Sequence, residues 1–369
     1  MRNRSRHRRR GNRSGNSVQG GQGQGNVQGG QPGQNPGQGQ GQYSGQNPGQ
    51  RGGRNRNRNR NRNRGGRRGR QQPQAPLQRT EAEVEFLNKT PITPNEWIQF
   101  EKGSDEHAMR AVDFLCPVGK GTRGLIVSPP KVGKTTILKQ ICNAVEKADK
   151  DMRVLCVLID ERPEEVTDFR RAVNAEIFAS SSDAGFQEHI KMAQRVYQEA
   201  VATAAAGKDV MIVLDSLTRL ARAFNTAATG TKTLSGGLDS NAMEWPRRFF
   251  GAARKLEEGG SITILATILV DTNSRMDEVI FQEFKGTGNM ELVLSRQAAE
   301  MRIFPAIHVK NSGTRREELL LPKDALEKVW LLRRKLAIAS DMEATKTVVD
   351  LLKRNPTNEK LLAGIQGSL

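Results

Sequence analysis

The stretch GLIVSPPKVGKTTILKQI, residues 124–141, constrains the fold of this chain more than any other. An apolar run passes through a loop holding Pro129, Pro130 and Gly133 and enters a segment with Ile137, Leu138 and Ile141 at helical spacing. Strand, loop and helix in that order aim backbone N–H groups and a helix amino terminus at one small volume, where negative charge is stabilised. Ser128, Lys131, Val132, Gly133, Lys134, Thr135 and Thr136 then have the spacing of a P-loop, with Lys134 reaching the β/γ-phosphates of ATP and the Thr135 hydroxyl serving Mg²⁺. Ser128 stands where the strict pattern has its first glycine, and the rigid Pro129–Pro130 pair is expected to offset the lost backbone freedom. The competing reading, a turn with a solvated lysine, does not account for the apolar strand that enters it.

Further runs of the same kind surround it: VLCVLID (154–160), EIFAS (176–180), DVMIVLD (209–215) and SITILATIL (261–269). Near-continuous hydrophobicity is what strands buried on both faces need, so these predict a mostly parallel sheet. Helical stretches are expected over 134–147, 187–205 and 240–257. Two or three helices are expected in 322–369, where Leu326, Val329, Leu332 and Leu336 recur at helical spacing. The fold class is therefore α/β, a P-loop NTPase domain with a mostly parallel sheet flanked by helices and a helical carboxyl-terminal segment.

A phosphate-handling site of this kind requires carboxylates at the ends of buried strands. Asp215 ends DVMIVLD and is expected to hold the metal through water; helix N-cap is the alternative role for it. Asp160, Glu161 and Arg162 end a neighbouring run and offer a carboxylate to orient the attacking water.

Charge sorts the rest of the chain. Of 58 Lys plus Arg, 18 are arginines in residues 1–80, where no acidic residue occurs, leaving 40 basic residues against all 40 acidic ones in the body. The net charge of +18 thus resides in a Gly/Gln/Asn/Arg tail, including RGGRNRNRNRNRNRGGRRGR at 51–70, which has too little apolar surface to offset its ordering entropy. Residues 1–78 are expected to be disordered, 79–115 to form a connector and 116–369 an ATPase domain with its terminal helices. Arginine forks onto phosphate without a sequence code, so the tail suits nucleic-acid backbones; a solubilising tail is the alternative. Cys116, Cys142 and Cys156 lack metal or disulfide spacing and fit buried small hydrophobes. The most apolar run, ITILATILV, is about half the length of a membrane span, and the charged amino terminus lacks a signal's apolar stretch. No membrane contact and a cytoplasmic location are expected.

DERPEEVTD (160–168), LDSLTRLARAFN (214–225), RRFFGAARKLEEGGSITILAT (247–267), MDEVIFQEFKGTGNMELVLSR (276–296) and RIFPAIHVKNSGTRREELL (302–320) resemble the bacterial transcription termination factor Rho family, from about Thr90 to the carboxyl end. The resemblance implies a RecA-like domain in a homohexameric ring, with ATP between subunits, single-stranded RNA through the centre, and RNA polymerase and elongation factors as further partners. It implies RNA-stimulated ATP hydrolysis driving translocation or unwinding, in transcription termination. On the matching positions, Lys131, Lys134 and Thr135 handle phosphate and Mg²⁺, Glu161 activates water and Asp215 is the metal-associated acid. Arg315 is the finger supplied by the next subunit, Arg302 senses phosphate, and Arg162 and Arg219 couple the site to neighbours. An ion pair with Glu317 or Glu318 is the alternative for Arg315.

Two loops are expected to grip RNA: 225–241, carrying Lys232, and 284–289, carrying Lys285, Gly286, Thr287 and Gly288. Solvated surface is the alternative for both lysines. The family ordinarily has an OB-fold domain before the connector, and nothing in residues 1–78 can make that barrel, so a pyrimidine preference is not carried over. Two other functions stay open at this point: a nucleic-acid condensing protein whose tail binds while its body is a scaffold, and a RecA-like DNA recombinase.

Overall fold

The computed structural model describes residues 79–228, 235–239 and 241–365. The amino-terminal tail through residue 78, including the 51–70 arginine run, and Lys232 lie outside the described residues.

The connector opens with α1 (Glu81–Asn88), β1 (Pro91–Ile92), β2 (Trp97–Ile98), α2 (His107–Leu115) and β3 (Val118–Gly119). The body then alternates: β4 (Arg123–Ser128), α3 (Lys134–Ala148), β5 (Arg153–Glu161), α4 (Pro163–Ala172), β6 (Glu176–Ser181), α5 (Phe186–Ala205), β7 (Asp209–Asp215) and α6 (Leu217–Ala227). It continues through α7 (Glu244–Gly251), β8 (Arg254–Leu256), β9 (Ser261–Leu269), α8 (Arg275–Lys285), β10 (Met290–Val293), α9 (Arg296–Glu300) and β11 (Gly313–Thr314). Helices α10 (Lys323–Ile338), α11 (Asp341–Arg354) and α12 (Asn358–Ala363) close the chain, so three helices occupy the end where two or three were expected.

The main sheet runs β11-β10-β4-β9-β7-β5-β6, parallel along this order except for the antiparallel edge strand β11, with β8 and β1 added antiparallel beside β9. The period-two alternation of strand side chains fills two cores. Leu125, Val127, Leu155, Val157, Ile159, Val210, Ile212 and Leu214 face α5 to α8. Ile126, Val154, Cys156, Leu158, Met211 and Val213 face α2, α3 and the terminal helices. Each fully buried side chain of this size contributes about 1.5–3 kcal/mol.

The expected helix over 240–257 is a shorter one followed by a strand. After Gly251 the chain leaves the helix, and Arg254–Leu256 pairs antiparallel with both β9 and β1. Gly259 and Gly260, at φ 100° and 84°, make the return into β9, closed by Leu256, whose N–H donates to Gly260 O at 3.1 Å and whose carbonyl accepts from Gly259 N–H at 3.3 Å. Helical apolar spacing in 240–257 was outcompeted by a hairpin whose turn residues sit just past it.

The connector is built into the body. Glu83 of α1 is buried and accepts from Tyr197 Oη at 2.7 Å and from the Arg248 guanidinium, tying α1 to α5 and α7. In α2, Asp113 accepts backbone N–H groups of Phe100 and Glu101 at 3.0 and 2.8 Å. Burial pushes its carboxyl up to about 7, against those two donors, which pull it down. Because the folded pKa lies above the ordinary 3.8, the unfolded chain loses this proton first, and Asp113 subtracts stability as pH rises from about 4 to about 7. Asp113→Asn is expected to lower the melting temperature at pH 5 through a lost acceptor, yet to flatten the decline between pH 5 and 7; an unchanged slope in thermal melts would disprove this assignment.

The three cysteines are free and fully buried, Cys142 on α3 and Cys156 on β5. The neighbouring Cys142 thiol and burial hold the Cys156 thiol up, and burial pushes Cys116 up to about 12.

Candidate active site

The loop between β4 and α3 places its conformational demands at Lys131 (φ 65°) and Gly133 (φ 92°), the latter the N-cap of α3. Ser128 still lies in the strand, buried, its hydroxyl donating to Pro129 O at 3.0 Å. Positive φ is thus not required where the strict pattern has its first glycine, which explains why serine is accommodated there. Val132 is buried beneath the loop, and Lys131 and Thr136 are exposed on it.

Lys134 opens α3 and projects across the carboxyl ends of three strands. Its Nζ lies 2.5 Å from Asp215 Oδ1 and 3.3 Å from Glu161 Oε1, joining the ends of β7 and β5. Both carboxylates are buried. Asp215 Oδ1 also accepts from Thr267 Oγ1 of β9 at 2.8 Å. The N-cap of α6 is Ser216, whose hydroxyl accepts from Arg219 N–H at 3.2 Å, so Asp215 is not spent on capping. Its Oδ2 is buried without a hydrogen-bond partner among the described residues. An orphaned carboxylate oxygen at a strand end, beside the lysine that opens the helix carrying Thr135 in its first turn, fits a hard, oxygen-seeking cation such as Mg²⁺.

Glu161 is held from the other side by Arg219, whose Nη1 lies 2.7 Å from Oε1 and also donates to the Asp160 carbonyl. Burial raises its pKa, as does the nearby Asp215 charge, while Lys134 and Arg219 oppose the rise. A carboxylate moved toward the working pH is suited to accept or orient a proton of water. Arg162 follows at once, exposed at the N-cap of α4.

Beside the P-loop lies a cleft of about 480 Å³ lined by His107, Val132, Gly133, Thr136, Phe304 and Pro305. Phe304 is 45% exposed, so its ring is offered to this space rather than packed away. Phe304 was not anticipated from the sequence; its signal was an aromatic beside the Arg302 that was singled out. Arg302 itself is exposed in the turn after α9, at φ 57°, on the same P-loop side of the sheet as Phe304.

Arg315 sits elsewhere. β11 pairs antiparallel with β10 so that Thr314 faces Met290, at the amino-terminal ends of the parallel strands. A strand of six residues spans about 20 Å, so within one chain Arg315 and Lys134 occupy opposite ends of the sheet. Arg315 is exposed with no side-chain partner among the described residues; the ion pair anticipated as its alternative is made by Arg316 with Glu318, at 2.6 Å.

The two loops expected to grip RNA lie at opposite ends of α8. The described return of the first loop, Ser235–Gly237, lies against the start of α8: a Cβ on Gly236 would come within 2.8 Å of the Arg275 carbonyl oxygen. Loop 271–275 is pinned beside it by Asp277, which is buried, takes both Arg222 nitrogens, Nε at 2.8 and Nη2 at 2.5 Å, and accepts from Thr272 Oγ1 at 2.6 Å. Lys285, Gly286, Thr287 and Gly288 lie at the far end of α8, beside Arg123 and the Arg315 segment. Arg275, exposed at the near end, was missed because its loop reads as an ordinary strand-to-helix connection.

A parallel sheet with a P-loop on one strand and buried carboxylates on two others, bridged by the P-loop lysine, defines a P-loop NTPase core. Residues 108–314 match the nucleotide-binding domain of the ATP synthase alpha/beta family. The chain is 50% identical over 280 residues to transcription termination factor Rho of Borreliella burgdorferi, covering 76% of this chain and 54% of that protein. It is 49% identical over 279 residues to Rho of Pseudomonas aeruginosa, covering 74% and 67%, and 50% identical over 284 residues to Rho of Karelsulcia muelleri, covering 77% and 75%. The chain belongs to the transcription termination factor Rho family. An ATPase of the type III secretion system of pathogenic bacteria shares the fold, with a TM-score of 0.63 at 24% identity, over 76% of this chain and 86% of that one. Among the described residues no helix is long and apolar enough to cross a membrane.

Proposed function

We propose that this protein is an RNA-stimulated ATPase that works as a homohexameric ring translocase or helicase on single-stranded RNA, in transcription termination in the cytoplasm. The observation that carries the reading is the Lys134 ammonium of the P-loop held between Glu161 and Asp215, two buried carboxylates at the ends of neighbouring strands.

Lys134 would exchange its carboxylate partners for nucleotide phosphates, which present denser negative charge at the α3 amino terminus. The cleft at Phe304 has the size and the half-apolar lining that suit a nucleobase. Thr135 and, through water, Asp215 would hold Mg²⁺, which when bound neutralises phosphate charge. Glu161 would orient the attacking water, with Arg219 fixing its carboxylate. Arg302 stands on the P-loop side as a phosphate sensor, and Arg162 at the rim as a coupler to the neighbouring subunit. Arg315, at the wrong end of the sheet for its own P-loop, would serve the next subunit's, which requires head-to-tail contact closing into a ring.

RNA would meet the loops carrying Lys232 and Lys285, with Arg275 as a further cation, while the tail would act as an unspecific tether that feeds the ring. RNA polymerase and elongation factors would be the partners whose transcripts are released. Removing residues 1–78 is expected to weaken RNA binding and to shrink its salt dependence by about 0.7 in log–log slope per lost phosphate contact, with ATPase at saturating RNA retained. Arg275→Ala should lower the slope by about one such contact and reduce RNA stimulation. Filter binding across salt concentrations, with ATPase in parallel, decides: an unchanged slope after deletion removes the tether, and hydrolysis indifferent to RNA removes the translocase and favours the scaffold reading.

A further inference from the structure

Arg123 opens β4 at the end of the sheet away from the P-loop. All its side-chain hydrogen bonds go to carbonyl oxygens: Nε donates to Thr287 O and Nη1 to Ala253 O, each at 3.0 Å. No carboxylate pairs with it among the described residues. Asn289 joins this residue to Arg315. Its Oδ1 accepts from Arg123 N–H at 2.8 Å, its N–H donates to Arg123 O at 3.0 Å, and its carbonyl accepts from Arg315 N–H at 2.8 Å. Burial lowers the Arg123 pKa, and so do the neighbouring charges of Arg254 and Arg315. The half-buried Arg123 and Arg254 and the exposed Arg315 are thus close enough to repel one another. The two carbonyls anchor Arg123 without neutralising it, so the repulsion is left for Arg315, the exposed member, to relieve by extending toward an anion from outside.

We infer that Arg123 is a positioning residue for Arg315: anchored by carbonyls and lacking a counter-ion, it keeps the Arg315 guanidinium from folding back and presents it to the phosphates of the adjoining subunit. Thr287 and Asn289 of the GTGN segment are then part of the platform for the finger. This inference rests on the proposed delivery of Arg315 between subunits.

The test uses mixed rings of full-length chains. Arg315→Ala chains keep the P-loop and lack the finger, and Lys134→Ala chains keep the finger and lack the P-loop; mixing them should restore RNA-stimulated hydrolysis. Arg123→Gln added to the Lys134→Ala chain should cut the restored rate about tenfold or more, a change in kcat, because there it stands behind the working finger. The same change added to the Arg315→Ala chain should leave the rate within about twofold. Arg123→Lys on the finger-supplying chain, which keeps the cation, should recover most of the loss. Equal losses in both placements would mean a general structural role, no loss in either would mean no role, and a lysine as poor as glutamine would mean that charge is not the cause; each overturns the inference. If the parent mixture is itself inactive while the unmodified protein hydrolyses ATP, delivery between subunits is what fails, and the inference falls with it.

Discussion

Lys134→Ala abolishes RNA-stimulated ATP hydrolysis: a loss of at least about 10²–10³-fold in kcat is expected, the range for removing one preorganised charge-stabilising group. Two effects act in the same direction. The phosphates lose the cation that closes the P-loop, and Glu161 and Asp215, both buried, lose the ammonium between them. Glu161 already has its pKa raised by burial and by Asp215, with Lys134 among the groups opposing that rise. Removing the lysine therefore drives it further toward the protonated form, in which it can no longer accept a proton from water. Steady-state ATPase with saturating RNA, beside a thermal melt to establish folding, measures the effect. A folded variant that still hydrolyses ATP at the parental rate would show that the assigned site is wrong.

Arg315→Ala is expected to cost about 10³–10⁵-fold, the range for a finger that stabilises charge in phosphoryl transfer. Unlike the lysine variant, it should leave nucleotide binding by its own P-loop intact, because the two groups stand at opposite ends of the sheet. The distinguishing result is complementation. Each variant alone is inactive, whereas a mixture contains interfaces at which an intact P-loop meets an intact Arg315. ATPase of the mixture against the two separate proteins decides, and no recovery would argue that Arg315 and Lys134 do not belong to one composite site.

Most of the sheet was legible because its strands are buried on both faces, leaving continuous apolar runs such as VLCVLID and DVMIVLD whose ends are marked by Glu161 and Asp215. The P-loop was legible for a related reason: a left-handed position at Gly133 and a helix start at Lys134 demand particular residues at fixed spacing. β10 was not, since four residues interrupted by Glu291 carry too little pattern, and its place in the sheet comes from parallel pairing with β4 far back in the chain. The short β8 was hidden inside a stretch with helical spacing. Site residues that depend on the tertiary fold were the least visible. Phe304 matters because β10 returns it to Gly133, and Arg275 because α6 and loop 235–237 lie beside it. The separation of 285–288 from the first loop is set by the direction of α8, which residue composition does not encode.

The burial of the cysteines has a practical side. These three are the chain's whole complement, and each is sealed in the core with its thiol fully covered. Thiolate is the species that reacts with maleimides, iodoacetamides and disulfide reagents, and burial in apolar surroundings withholds it. The native chain is therefore its own silent background for covalent labelling. A single cysteine placed beside Arg275 or Arg315 would be the sole accessible thiol, so a dye or cross-linker could report on either end of the sheet without first stripping out the natural sulfurs.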